Sequence, residues 1–129
     1  METNEEKRAY LLQVANTIRE QLRGTTKWNV LCSWGITSYG ATWIKKGGYE
    51  CAALVLNVNG LIHKGRVVIA YDEGMDSYSV ILMSNDFEAV GEWHDDVMFD
   101  ELGGLIDSLV ERPKGMSDTE YARRLNESY

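Results

Sequence analysis

YECAALVLNVNG, residues Tyr49–Gly60, decides the fold. Residues 49–58 form a near-continuous apolar run that suits a central strand. Asn59-Gly60 then reads as a tight hairpin turn, because both central residues of such a turn take positive φ. A return strand is expected from about Leu61 to Tyr71. Asp72–Asp76 reads as the next turn, SYSVILM (77–83) as a fourth strand, and Glu88–Trp93 as a weaker fifth. Hairpin links make neighbouring strands antiparallel, since parallel neighbours need long crossovers.

On the N-terminal side, Trp28, Val30, Cys32, Trp34 and Ile36 alternate with Asn29, Leu31, Ser33, Gly35 and Thr37. A period of two predicts a half-buried strand. Further back, Thr3-Asn4-Glu5-Glu6 has the spacing of a capping box. Leu11, Val14, Ala15, Ile18 and Leu22 fall on one helical face, so a helix is expected over about 4–22, with Gly24 closing it in a left-handed conformation. On the C-terminal side, DELGGLIDSLVER predicts a second long helix: Met98, Leu102, Leu105, Ile106 and Leu109 share a face, and Pro113 ends it. Ser117-Asp118-Thr119-Glu120 repeats the capping-box spacing and opens a short helix through about Asn126. The expected fold is α+β: an N-terminal helix, an antiparallel sheet of four to five strands, a C-terminal helix and a short terminal helix, with the helices on one sheet face. Residues 1–112 form one domain and 113–129 a short helical tail.

The chain of 129 residues is long enough to bury a core without metal or disulfide. METNEEKRAY has no apolar segment behind its charges, which predicts no signal peptide. No apolar run approaches the ~20 residues a membrane helix requires. With Cys32 and Cys51 as the only cysteines, the expectation is a reduced, cytoplasmic protein. The net charge of −7 is unevenly spread: residues 72–111 hold twelve Asp or Glu and no Lys or Arg. Such polarity speaks of partners rather than of fold.

Within that acidic third, GEWHDDVMFDEL (91–102) crowds Glu92, His94, Asp95, Asp96, Asp100 and Glu101 together. Glu92, His94, Asp96 and Asp100 are of the right types to ligate zinc, manganese or magnesium. Their spacing matches no HExxH, HxH or CxxC pattern. Asp95, Asp96, Asp100 and Glu101 also sit where a helix start wants acids, to cap free N–H groups and face the positive dipole end. The second reading needs no metal and is preferred. Stepping 100° per residue places Asp96, Asp100, Gly104, Asp107 and Glu111 opposite the apolar face. This acidic face is the expected contact for a basic partner. Gly103 and Gly104 weaken the helix, by about 1 kcal/mol each against alanine. Tight packing or a late helix start accounts for Gly103, and approach of another backbone would account for Gly104.

SYGATWIKKGGYE (38–50) reads as a loop or a bulged edge hairpin. Its Tyr39, Trp43 and Tyr49 are the candidate walls of a small pocket. Cys32 reads as a small core residue, and neither Ser33 nor Ser84 has the context of a nucleophile. No glycine-rich phosphate loop is present.

DSYSVILM (76–83) and VMFDELGGLIDSLVERP (97–113) give the chain a strand-then-helix ending that resembles small uncharacterised proteins of gut Bacteroidetes, some carried on mobile elements. The likeness covers roughly residues 60–112. It implies an intracellular accessory protein rather than a metabolic enzyme, and brings no catalytic residue.

The expected function is therefore a small non-catalytic binding or adaptor protein that meets a basic partner. No cofactor and no direct nucleic-acid binding are expected. One alternative is a DNA mimic that blocks a nucleic-acid-binding protein, which requires a spaced row of surface carboxylates. Another is a metal-dependent hydrolase, which requires Glu92, His94, Asp96 and Asp100 to converge. A homodimer through an uncovered sheet face is a further expectation, because two helices would not cover five strands.

Overall fold

The computed structural model describes residues 3–111 together with Thr119, Glu120 and Arg123. In chain order its elements are α1 (Asn4–Thr25), α2 (Trp28–Ser33), β1 (Ser38–Lys46), β2 (Tyr49–Asn59), β3 (Lys64–Asp72), β4 (Ser77–Met83), β5 (His94–Val97) and α3 (Leu102–Val110). The five strands form one antiparallel sheet in the order β1-β2-β3-β4-β5, so each strand lies beside its sequence neighbour. The fold is α+β, as expected from the hairpin links.

Thr3 caps α1, its hydroxyl accepting the Glu6 N–H at 3.1 Å. The helix runs through Gly24 and ends at Thr26 in extended conformation, so Gly24 is not its left-handed stop. The stretch 28–37 departs from the expected strand. Trp28–Ser33 is a short helix that buries Leu31, with Trp34 buried directly after it and Trp28 left exposed. Leu31 and Trp34 are three apart, and that helical spacing prevails over the alternation. The first strand is instead β1, out of the segment read as a loop or hairpin. Its register with β2 is unbroken from Ser38↔Asn57 to Lys46↔Tyr49, without a bulge. Gly47 and Gly48, at φ +58° and +86°, make the two-residue turn.

The three helices cover one sheet face. Ile18, Leu22, Leu31, Trp34, Leu102, Ile106 and Val110 pack on Leu54, Leu56, Val58, Val67, Ile69, Tyr78 and Val80. The opposite face is not open either. Ala53, Val55, Val68, Ala70, Ile81 and Met83 are all buried there, with Ile44, Cys51 and Trp93 packed against them. The sheet covers this face by curling over it. Lys46 on β1 pairs with Asp95 on β5 at 2.8 Å, joining the two edge strands. In a flat sheet these edges would lie roughly 19 Å apart at about 4.8 Å per strand, beyond the reach of two side chains. The expected uncovered face is thus absent, and a dimer through it has no surface to use.

The Lys46–Asp95 clasp carries a pH signature. The Lys46 ammonium, and then the Ser79 hydroxyl donating to Asp95 Oδ1 at 2.8 Å, hold the Asp95 carboxyl below its usual range. A depressed carboxyl contributes stability above its unfolded pKa and loses it as pH falls through the folded one. Asp95→Asn is therefore expected to destabilise the protein at pH 7, seen as a lower melting temperature, by no more free energy than an exposed ion pair contributes, about 0–1 kcal/mol. The two proteins should melt alike at pH well below the carboxylate range. A gap that persists in acid would assign the loss to packing instead.

The C-terminal elements differ most from expectation. The fifth strand is His94–Val97, with Ala89 bridged separately to Met83, rather than 88–93. Asp95 and Asp96 belong to that strand, and Asp96 takes φ +57° beside the irregularity at Tyr78/Val80. The helix begins late, at Leu102, with no side-chain cap on Glu101. The acids of 95–101 are therefore not its N-terminal caps. Gly103 is a packing glycine, since a Cβ there would meet Thr26 Oγ1, whereas Gly104 faces open space. The short helix expected over 117–126 lies outside the described residues, apart from Thr119, Glu120 and Arg123, which are helical.

Candidate functional site

The sheet splits at one end. The β2–β3 ladder stops at Ala53↔Ala70, while β1–β2 continues to Lys46↔Tyr49 and β3–β4 continues to Asp72↔Ser77. Two hairpin arms therefore stand apart beyond Ala53 and Ala70. Between them lies a cleft of about 710 Å³, walled by Lys46–Ala52 residues of one arm, by Tyr71–Met75 of the other, and by Tyr10 and Trp43 on the helix side. A second hollow of about 330 Å³ opens between α1 and the β3–β4 arm, and shares Tyr10, Tyr71 and Glu73 with the first.

Aromatic rings and carboxylates dominate this region. Tyr10 of α1 stacks on Trp43 of β1, centroids 6.0 Å apart and planes 21° apart. Lys7 Nζ lies 5.4 Å from the Trp43 ring centre. Tyr71 and Tyr78 meet at 5.7 Å. The Tyr71 hydroxyl donates to Asp76 Oδ1 at 2.8 Å, and this bond pushes the phenol up to about 12, so Tyr71 is a neutral donor at physiological pH. The Tyr78 hydroxyl donates to Gln21 Oε1 at 2.6 Å, tying the arm to α1. Tyr49 stands at the mouth, 76 % exposed.

The charge in the cleft is negative. Glu50, Asp72 and Glu73 line it against Lys46 alone, and Lys46 already holds Asp95. Asp72 Oδ1 accepts the Met75 N–H at 3.2 Å and so shapes its turn. Glu50 and Glu73 have no ion-pair partner among the described residues. Cys51 also lines the cleft. Burial, and then the Asp72 charge, push its thiol up, which disfavours the nucleophilic thiolate. Both cysteines are free thiols, Cys32 in α2 and Cys51 in β2.

Of the three aromatic residues expected to wall a pocket, Trp43 and Tyr49 meet in this cleft. Tyr39 does not, because it sits at the far end of β1 beneath the Arg19 guanidinium, 4.2 Å from its ring centre. The acidic helix face does not exist as drawn. Asp96 is in β5 and Asp100 in the turn before α3. Asp107 and Glu111 are buried at 7 % and 4 % exposure. Asp107 Oδ1 accepts the Trp34 indole N–H at 2.9 Å, and Glu111 Oε2 accepts the Leu61 N–H at 2.6 Å. Asp96, Asp100 and Gly104 are at the surface, on three separate elements. Of the twelve acids of 72–111, Asp107 and Glu111 are buried, and the others lie in the β3–β4 arm, in β5 and in the turns. Glu92, His94, Asp96 and Asp100 do not converge: no group of three or more His, Cys, Asp or Glu could hold a metal ion among the described residues.

Tyr10, Glu50 and Tyr71 were not expected in a site. Each is the flank residue of an element whose apolar face draws the eye, and only tertiary placement brings them together. Among the described residues, no helix is long and apolar enough to cross a membrane. Comparison with protein-family models, with curated proteins and with solved structures finds no match to the chain.

Proposed function

We propose that this is a small non-catalytic binding protein that holds a cationic segment of a basic partner protein in the cleft between its two hairpin arms. The observation that carries the reading is the pairing of aromatic walls with two carboxylates that lack a counter-ion, Glu50 and Glu73. A cation over an aromatic face gains about 0.5–2 kcal/mol, more as water is excluded. Rim carboxylates add steering and selectivity for positive charge. This moves the expected acidic contact from the last helix to the open end of the sheet, and keeps the chemistry of the partner.

A hexa-arginine peptide titrated by isothermal calorimetry tests the reading. Binding should be saturable and should weaken with added salt. The double variant Glu50→Gln/Glu73→Gln, altered only at exposed rim positions, should bind roughly tenfold more weakly, which corresponds to about 1.4 kcal/mol. Trp43→Ala should reduce binding as well, provided that circular dichroism shows the fold intact. Equal affinity in the native protein and the double variant would sink the proposal, as would no heat of binding at low salt.

A further inference from the structure

β1 is a nine-residue strand at the edge of the sheet. The turn at Gly47-Gly48 makes Lys46 and Tyr49 a hydrogen-bonded pair, so the even-numbered residues of β1 bond to β2. Tyr39, Ala41, Trp43 and Lys45 consequently aim their main-chain N–H and C=O groups outward. Apart from the Thr42 hydroxyl, 3.4 Å from the Trp43 carbonyl, no described residue bonds to them. A long open edge of this kind is a template for another strand.

We infer that the occupant is a second copy of this chain, its β1 paired antiparallel with β1 across a twofold axis at Thr42. The outward groups allow this register, and the side chains then match on both faces. On the helix side, Tyr39 stands opposite the partner's Lys45, a cation beside a ring, and Ala41 opposite the partner's Trp43, small against large. On the other side, Gly40 meets the partner's Ile44 and Thr42 meets the partner's Thr42. Thr–Thr and aromatic–cation pairs are favourable cross-strand contacts, and no like charges oppose each other. Each residue contacts its counterpart in reciprocal fashion, as a closed twofold interface requires.

A second feature lies over the same strand. α1 is tied to both ends of β1, by Tyr10 on Trp43 and Arg19 over Tyr39, and Leu12 lies between these two contacts along the helix. Leu12 is 46 % exposed. At 100° per residue it shares a flank with Arg8 and Arg19, on the open-edge side. Gln13, Thr17 and Gln21 occupy the other flank and line the hollow beside β3–β4. With the twofold axis at Thr42, Leu12 of each copy lies on the side that faces the partner, which gives this exposed leucine an apolar neighbour. The pairing shares Trp43 with the cleft at the split end and uses neither Glu50 nor Glu73, so variants at those carboxylates test the ligand without touching the dimer.

Sedimentation equilibrium of the full chain tests the inference. The native protein should associate to a dimer. Ala41→Pro removes an outward N–H and no bond within the chain, so it should sediment as a monomer with an unchanged circular dichroism spectrum. Tyr39→Lys, which sets like charges opposite at the partner's Lys45, should weaken the dimer in the same direction. Thr42→Cys lies at a non-hydrogen-bonded pair, where opposing Cα atoms are about 4.5 Å apart, and should form a disulfide-linked dimer on mild oxidation. Ile44→Cys, placed away from the axis, should not. A protein monomeric at every concentration overturns the inference. So does a dimer that survives Ala41→Pro without Thr42→Cys cross-linking, since that dimer would use another surface.

Discussion

Trp34→Phe is expected to destabilise the protein by about 1.5–3 kcal/mol, and Trp34→Ala by about 3–5 kcal/mol or slightly more. Trp34 is fully buried, at 0 % exposure, among residues of α1, α3 and the sheet. Its indole N–H donates to Asp107 Oδ1 at 2.9 Å, a hydrogen bond to an ionisable group well removed from water. Phenylalanine fills most of the volume and removes the donor, whereas alanine removes both. The difference between the two variants therefore separates cavity from hydrogen bond. Urea unfolding of Trp34→Phe, Asp107→Asn and the double variant would measure the coupling directly. If Trp34→Phe costs only a few tenths of a kcal/mol, the bond to Asp107 is not what holds α2 against α3.

Gly60→Ala should be nearly as damaging, by about 2–3 kcal/mol, although it adds a single methyl group. A Cβ at Gly60 would run into the Val110 carbonyl oxygen and Val110 Cγ1. The loop at Gly60–His63 is the C-terminal seal of α3. Ile62 and His63 donate their N–H groups to the Val110 carbonyl at 2.8 and 3.2 Å, and Leu61 donates to Glu111 at 2.6 Å. The alanine can be accommodated only by lifting this loop from the helix end, which strands carbonyls that need partners. Gly104→Ala is the control. A Cβ there meets nothing within 4 Å, so it should stabilise by up to about 1 kcal/mol through helix propensity. Chemical denaturation of both variants checks the contrast, and equal effects would refute it.

These residues also explain what could be read from the sequence. SYSVILM was legible because turn residues bound it on one side and its apolar content agrees with burial on both faces; β4 is Ser77–Met83. Thr3 and the period behind it were legible because capping is a local interaction. Asn59-Gly60 marked the β2–β3 hairpin but not its turn, since Gly60 is present for clearance against Val110 and the loop extends through His63. WNVLCSW satisfied two periods at once, and only the core beneath Trp34 chose between them. Asp107 and Glu111 looked like the polar side of a helix because their partners, Trp34 and Leu61, lie far away along the chain. The cleft was half legible: Trp43 and Tyr49 belong to one hairpin, whereas Tyr10 and Tyr71 reach it from separate elements.

The early end of the β2–β3 ladder has a consequence for how this protein can diversify. Beyond Ala53 and Ala70 the two arms no longer pair with each other, and the turns Gly47-Gly48 and Glu73–Asp76 lie at the tips. Insertions or exchanges at these tips alter the width and charge of the gap without touching the layers that stabilise the molecule. Rigid base and variable tips are thereby separated along one sheet, so the residues around the gap can change while the packed layers stay the same.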